Sequence, residues 1–466
     1  MKSVGRVEKV MKLLLINPCS HTKYPSPPLG LLQLASCAQA HGHEVKVIDM
    51  NLGADITPAL RADVIGITAV TPTVESAIRL SKAIKLVTDK PIVVGGPHAS
   101  LMPDETLESG AFDMVLAGEA DVTLPMLLDS LENELPLDDI PNLHCKAGSY
   151  IWDNEPSCKP LDMNDIPMPD YSLINLAHYH PHPPHGRKRP WLPMITSRGC
   201  PYSCNFCSKP VFGSKYRAIS AAYVVEQLSI LKDSFGIKGV AFYDDVFTID
   251  FHRAYDICDG MLRNELDIDW SCETRVNLVS PEILRDLKRA GCFLIAYGIE
   301  SGSPEILAKL NKGIELSQVE EAIAHTREAG IQTVGYFMLG NPDETKGDIY
   351  KTIDFAIKLK LDYAQFSITV PLPGSQLYQR YLDSGLHIPP WGAFSYANMG
   401  KPTTPMFSGQ NLSTADIRGA LSEASRRFYL RPGYMWQRGV GGLKSWDDFK
   451  MLVNGTKVYL ENRTGK

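Results

Sequence analysis

The chain has no apolar run approaching the length of a membrane span and no hydrophobic signal-peptide core near its N-terminus, which predicts a cytosolic protein. It also lacks an excess of positive charge. Lys and Arg number 47 against 53 Asp and Glu, a formal net charge of −6, so a broad electrostatic grip on nucleic acid is not expected. Cysteine is sparse, ten residues in 466, and a cytosolic chain of this size needs no disulfides to fold. What remains, 44% hydrophobic and 21% charged residues, is ordinary folded-protein composition with room for two or three domains.

Against that sparse background three cysteines fall together. Ser197-Arg198-Gly199-Cys200-Pro201-Tyr202-Ser203-Cys204-Asn205-Phe206-Cys207-Ser208 spaces them as CxxxCxxC directly after the apolar run from Leu192 to Thr196, so a strand delivers three thiolates on one short loop. Three thiolates can hold three irons of a 4Fe-4S cluster and leave the fourth iron without a protein ligand, whereas an electron carrier usually fills all four positions. A closed zinc site is the alternative, with His178, His180, His182 or His185 as its fourth ligand.

Two stretches of alternating strands and helices flank a proline-rich connection. Strands over 11–17, 44–50, 63–69, 91–95 and 113–117, with helices near 29–41, 73–88 and 120–132, predict a doubly wound α/β domain over residues 11–135. Ligands of such sheets sit beyond the carboxyl ends of the strands. There the chain places Pro28, Leu29 and Gly30, then Thr71 and Thr73, then Gly95-Gly96-Pro97-His98, then Gly118-Glu119. Residues 136–190 read as a linker, because prolines at this density disfavour regular structure. From 191 to 390, six strands (192–197, 238–244, 268–273, 293–299, 332–338 and 362–369) alternate with amphipathic helices. Six β/α units make an incomplete barrel of the TIM type, with its functional residues at the C-terminal strand ends. Residues 391–466 form a small helical C-terminal extension, and residues 1–10 a polar leader.

With Phe206 just before its last cysteine, the cysteine loop resembles that of the radical S-adenosylmethionine (SAM) enzymes. The PPLGL, GGPH and GE elements over residues 11–132 resemble the cobalamin-binding domain that precedes many of these barrels. The resemblance implies three cofactors, a 4Fe-4S cluster on Cys200, Cys204 and Cys207, SAM and cobalamin. It also implies a radical methyltransferase acting on an unactivated carbon of a small or lipid-like molecule, with an external donor such as flavodoxin or ferredoxin. Relatives that close rings or rearrange carbon without methyl transfer share the architecture. The tRNA methylthiotransferases share the barrel, but they need a second cysteine trio and an RNA-binding module that this chain lacks.

The resemblance implies cobalamin contacts at Pro28, Leu29, Thr71, Thr73, Gly95, Gly96, Pro97, His98, Gly118 and Glu119. Around SAM it implies Phe206, Asp244 for the methionyl amine with Asp245 second, and Glu300 with Ser301; a helix N-cap is the other reading of the paired aspartates. Arg275 is expected to pair with the SAM carboxylate or to form a structural ion pair. One departure stands out: the D-x-H-x-x-G pattern of domains that ligate cobalt through histidine is replaced by Asn17-Pro18-Cys19-Ser20-His21-Thr22-Lys23. Cobalamin is therefore expected without a histidine below the cobalt.

Overall fold

Strand β1 (Lys12–Asn17) shows why the first layer forms: Leu13 and Leu15 enter one hydrophobic core, while Leu14 and Ile16 enter another. A strand that alternates between two cores must be covered by helices on both faces. The computed structural model describes residues 10–439 apart from 148–149, 155–159, 387, 399–403, 405 and 408–410. Most of the polar leader and the last part of the C-terminal extension lie outside the described residues. Around β1 stand β2 (Glu44–Asp49), β3 (Val64–Thr68), β4 (Ile92–Gly95) and β5 (Met114–Leu116), all parallel, in the order β2-β1-β3-β4-β5. The order reverses between β1 and β3, which opens a crevice at their carboxyl ends.

The segment expected to be a linker begins instead with two strands. β6 (Leu143–Ala147) and β7 (Tyr150–Asp153) form an antiparallel hairpin on the edge beside β5, extending the sheet to seven strands. Its strands, five and four residues long, are too short to stand out in the sequence, and the existing sheet edge pairs with the first of them. Residues beyond it run between the two sheets: Gln33 Nε2 donates to the Pro167 carbonyl (2.6 Å), and the Tyr171 hydroxyl donates to the Pro193 carbonyl (2.7 Å).

The second sheet is β8 (Trp191–Met194), then, after the two-stranded ribbon of β9 (Ser197–Arg198) and β10 (Arg217–Ala218), β11 (Gly239–Phe242), β12 (Asp269–Thr274), β13 (Cys292–Glu300), β14 (Gln332–Leu339) and β15 (Tyr363–Ile368). Its six long strands are parallel and in sequence order from β8 to β15, with no pairing between those two, so the barrel is open. Three of the helices between them start where short polar side chains cap free N–H groups. Ser220 accepts from Tyr223, Asp250 from Arg253 and Ser280 from Ile283.

The C-terminal extension seals an edge. Helix Thr414–Tyr429 packs on β15, and the Tyr429 hydroxyl both donates to the Ala364 carbonyl (2.8 Å) and accepts from its N–H (3.2 Å). Capping an exposed strand in this way removes a site of unwanted pairing. Among the described residues no helix is long and apolar enough to cross a membrane.

Candidate active site

The carboxyl ends of both sheets face one cavity of about 630 Å³, within the range typical of cofactor sites. Leu29, Gly95, Gly96, Pro97, Gly118 and Glu119 line it from the first domain; Cys200, Cys204, Phe206, Cys207, Arg275 and Glu300 line it from the barrel. Residues more than 170 positions apart in the chain are thus brought to one space.

The ribbon of β9 and β10 carries the cysteine loop. Gly199 holds a φ of +82°, and a side chain there would collide with the Lys215 carbonyl. Lys209 Nζ draws the loop inward by donating to the carbonyls of Cys200 (2.5 Å) and Tyr202. Cys200, Cys204 and Cys207 share one cavity wall, so three thiolates there would repel one another and favour a cation between them. The trio fits a multi-iron cluster better than zinc. The three thiols open onto a cavity whose lining holds no His and no fourth Cys, whereas a closed zinc site built on this loop would want one of these as its fourth ligand.

Behind the loop the structure corrects one assignment. Asp244 does not line the cavity: its buried carboxylate accepts from Thr196 N–H (2.5 Å), the Thr196 hydroxyl (2.5 Å) and Ser197 N–H (2.8 Å). Burial raises its carboxyl despite Arg253 nearby. It fixes the strand end that launches the cysteine loop. Asp245, exposed toward the cavity, is the member of the pair available to a ligand. The helix that follows is capped by Asp250, so neither aspartate is its N-cap. Ser301 is also absent from the cavity wall; its hydroxyl is engaged with Thr352 and with Ser303 N–H.

Arg275 lies beside the trio. Its guanidinium stacks on Tyr202 at 3.8 Å, Nη1 stands 3.8 Å from Cys204 Sγ, Nε donates to Asn277 Oδ1 (3.2 Å), and Nη2 donates to the Lys312 carbonyl. Glu300 is paired with Lys312, whose ammonium also faces the Phe206 ring at 5.5 Å.

Sequence reading missed a polar group deeper in the barrel. The Tyr336 hydroxyl donates to Glu273 Oε1 (3.0 Å) and lies 3.0 Å from His185 Nε2. Burial raises the Glu273 carboxyl and lowers the His185 imidazole to about 4. His185, in the segment expected to be a linker, is instead turned onto β14, where it is buried. A strand-end position was the available signal for Glu273; nothing local marks His185.

In the first domain, Gly96 has a φ of +94°, and an added Cβ would stand 2.8 Å from Thr68 Oγ1. A side chain at Gly30 would meet nothing within 4 Å. Gly96 thus lets its loop close tightly on the end of β3, while Gly30 leaves open space at the cavity wall. Pro28, Thr71, Thr73 and His98, expected at cobalamin, stand behind this surface and off the cavity wall. Pro28 starts the helix Leu29–Ala40. His98 Nδ1 is 3.2 Å from the Thr71 hydroxyl, its ring meets Trp391 edge-on at 4.7 Å, and burial lowers it to about 4. The Thr73 hydroxyl is bonded back to Val70. His21 is exposed and does not line the cavity.

Known proteins share this arrangement. Residues 194–356 match the model of the radical SAM superfamily, and residues 19–128 match the B12 binding domain. An uncharacterized methyltransferase of Pyrococcus horikoshii is 34% identical over 93% of this chain and 98% of its own length. The bacteriochlorophyllide d C-12(1)-methyltransferase of Chlorobaculum tepidum is 29% identical over 81% of this chain and 79% of its own. Among solved structures, the radical SAM methyltransferase TsrM of Kitasatospora setae, with cobalamin and a [4Fe-4S] cluster bound, superimposes with a TM-score of 0.71. It is 18% identical and shares the fold over 91% of this chain and 90% of that one.

Proposed function

Because this chain belongs to the cobalamin-dependent radical SAM enzymes, we propose that it is a C-methyltransferase acting on an unactivated carbon of a small or lipid-like molecule. The observation that carries the reading is the shared cavity. The cysteine trio and the glycine loops of the first domain open onto the same space, so a group held by one is presented to a group held by the other. When bound, the cluster supplies the electron that cleaves SAM to a 5′-deoxyadenosyl radical, and cobalamin supplies the methyl group.

The chain's own residues bind and orient. Cys200, Cys204 and Cys207 would ligate the cluster; Gly95, Gly96, Pro97 and Gly118 would let the backbone approach the corrin. Phe206, Asp245, Arg275 and Glu300 surround the place for SAM, where a carboxylate and a guanidinium suit its ammonium and carboxylate ends. Apolar walls such as Leu29, Leu34, Val246 and Ala296 exclude water from the reacting carbon. An external electron donor such as flavodoxin or ferredoxin, a cytosolic location and no dependence on nucleic acid belong to the same reading, which the net charge of −6 supports.

Anaerobic reconstitution with iron, sulfide and hydroxocobalamin, followed by SAM and a strong reductant, tests it. The expected result is one corrinoid per chain and formation of both 5′-deoxyadenosine and S-adenosylhomocysteine. Deoxyadenosine and corrinoid without S-adenosylhomocysteine would indicate ring closure or rearrangement instead. Deoxyadenosine without corrinoid would overturn the first-domain assignment.

A further inference from the structure

In the ribbon that carries the cysteine loop, Arg198 stands directly opposite Arg217 in antiparallel register. Side chains so paired share one face, and like charges there repel. Both are nonetheless largely buried, with side-chain exposures of 7% and 14%. The first domain supplies the compensation. Arg198 Nη1 donates to Asp121 Oδ2 (2.7 Å) and Glu119 Oε2 (2.8 Å), Arg198 Nη2 donates to Asp121 Oδ1 (3.0 Å), and Arg217 Nη2 donates to the other oxygen of Glu119. Two cations from the barrel thus meet two carboxylates from the loop after β5.

Each partner adjoins a cofactor-facing element. Arg198 is two residues before Cys200, and Glu119 follows Gly118, whose φ of +72° turns the loop and whose N–H donates to Ser100 Oγ (2.8 Å). Glu119 was expected as a cobalamin contact, yet both its oxygens are committed to arginine. A bidentate guanidinium–carboxylate pair fixes orientation as well as distance, and a buried pair cannot be loosened cheaply by water.

We propose that Arg198, with Arg217, is a positioning residue: the four-residue cluster locks the cysteine loop to the loop after β5 and so sets the separation of cobalt and iron-sulfur cluster. The inference rests on the cofactor reading above. Its readout needs no substrate, because cob(II)alamin and the reduced cluster are both paramagnetic.

The test is pulsed electron paramagnetic resonance on full-length protein reconstituted with iron, sulfide and hydroxocobalamin and then reduced. Wild type is expected to show one narrow dipolar coupling between the two centres. R198A should lose that single coupling in favour of a broad distribution. R198K, which keeps the charge but not the fork, should fall between. R198A carrying both centres with the wild-type coupling would overturn the lock. If R198A does not load both, E119Q, which weakens the shared anchor and leaves the Arg198–Asp121 pair, must broaden the coupling; an unchanged value rejects the inference. Wild type without corrinoid would instead sink the cofactor reading.

Discussion

Glu300 meets Lys312 across 2.8 Å at the wall of the active-site cavity, both side chains 8% exposed. The backbone is bent to allow it: Glu300 has a φ of +69°, and the β13–β14 register shifts at Gly298/Glu300. A Cβ on Gly298 would stand 2.6 Å from Glu300 Oε1 and 2.7 Å from Lys312 Nζ, so a glycine makes space for the pair. Removing one partner leaves the other charge buried, at a cost of roughly 3–5 kcal/mol. Denaturant unfolding of the apo protein should show E300Q and K312M each destabilised on that scale. The double variant should lose less than the sum, and additive losses would refute the coupling.

Gly96 and Gly30 should behave differently. An alanine at position 96 must adopt an extended backbone at positive φ (φ +94°, ψ −178°), a region essentially reserved for glycine that costs about 1–3 kcal/mol, and press on the Ala69 backbone at 3.1–3.2 Å. G96A is therefore expected to lose both stability and corrinoid affinity. G30A sits in a helix with open space around it and should gain about 0.5–1 kcal/mol while binding corrinoid more weakly, since its methyl enters the open space at the cavity wall. Thermal melts and hydroxocobalamin titrations separate the two.

Adjacent aspartates should divide into structure and binding. D244A strands the Thr196 and Ser197 N–H groups in a buried site, each worth about 1–3 kcal/mol when unpaired; its melting temperature should fall. D245N, at an exposed position, should fold within about 0.5 kcal/mol of wild type and raise the SAM concentration needed for half-maximal deoxyadenosine formation. A melting loss in D245N larger than in D244A would reverse the assignment.

Acid should weaken the first domain through His98. Its folded value of about 4 lies below the ordinary 6.5 because the ring is buried. Above pH 6.5 neither state is protonated and there is no penalty. As pH falls from 6.5 toward 4 the unfolded chain takes up a proton that the folded one refuses, so stability declines by at most ~3 kcal/mol. Urea unfolding at pH 7 and pH 5 should show this slope reduced in H98Q; an unchanged slope would assign the acid sensitivity to other groups.

Much of the architecture was legible because it is carried by local pattern. Five of the six barrel strands fall within two residues of their expected ends, and the first stops at Met194, three residues early, since each is a short apolar run bounded by turn residues. The hairpin β6–β7 was not legible, because its two strands are short and form by pairing outward from the edge of β5, β6 on β5 and β7 on β6. Asp244 and Asp245 are identical in sequence chemistry, and only the turn after β11 directs one to the strand junction and the other to the cavity. His98, just after the Gly95-Gly96 turn, and Thr71, just after β3, follow strand ends as ligand residues would, but Trp391 from the C-terminal extension meets the histidine ring edge-on.

The sequence by itself determined the cysteine spacing, the two α/β domains and the glycines at strand ends, because these follow from nearest-neighbour stereochemistry and periodicity. Tertiary structure alone decided which side chains share a space. Arg198 reaches Asp121 across 77 residues, and His185 reaches Tyr336 across 151. Such pairings are set by how two sheets dock, where burial demands that every charge find its opposite, and no local pattern encodes that demand.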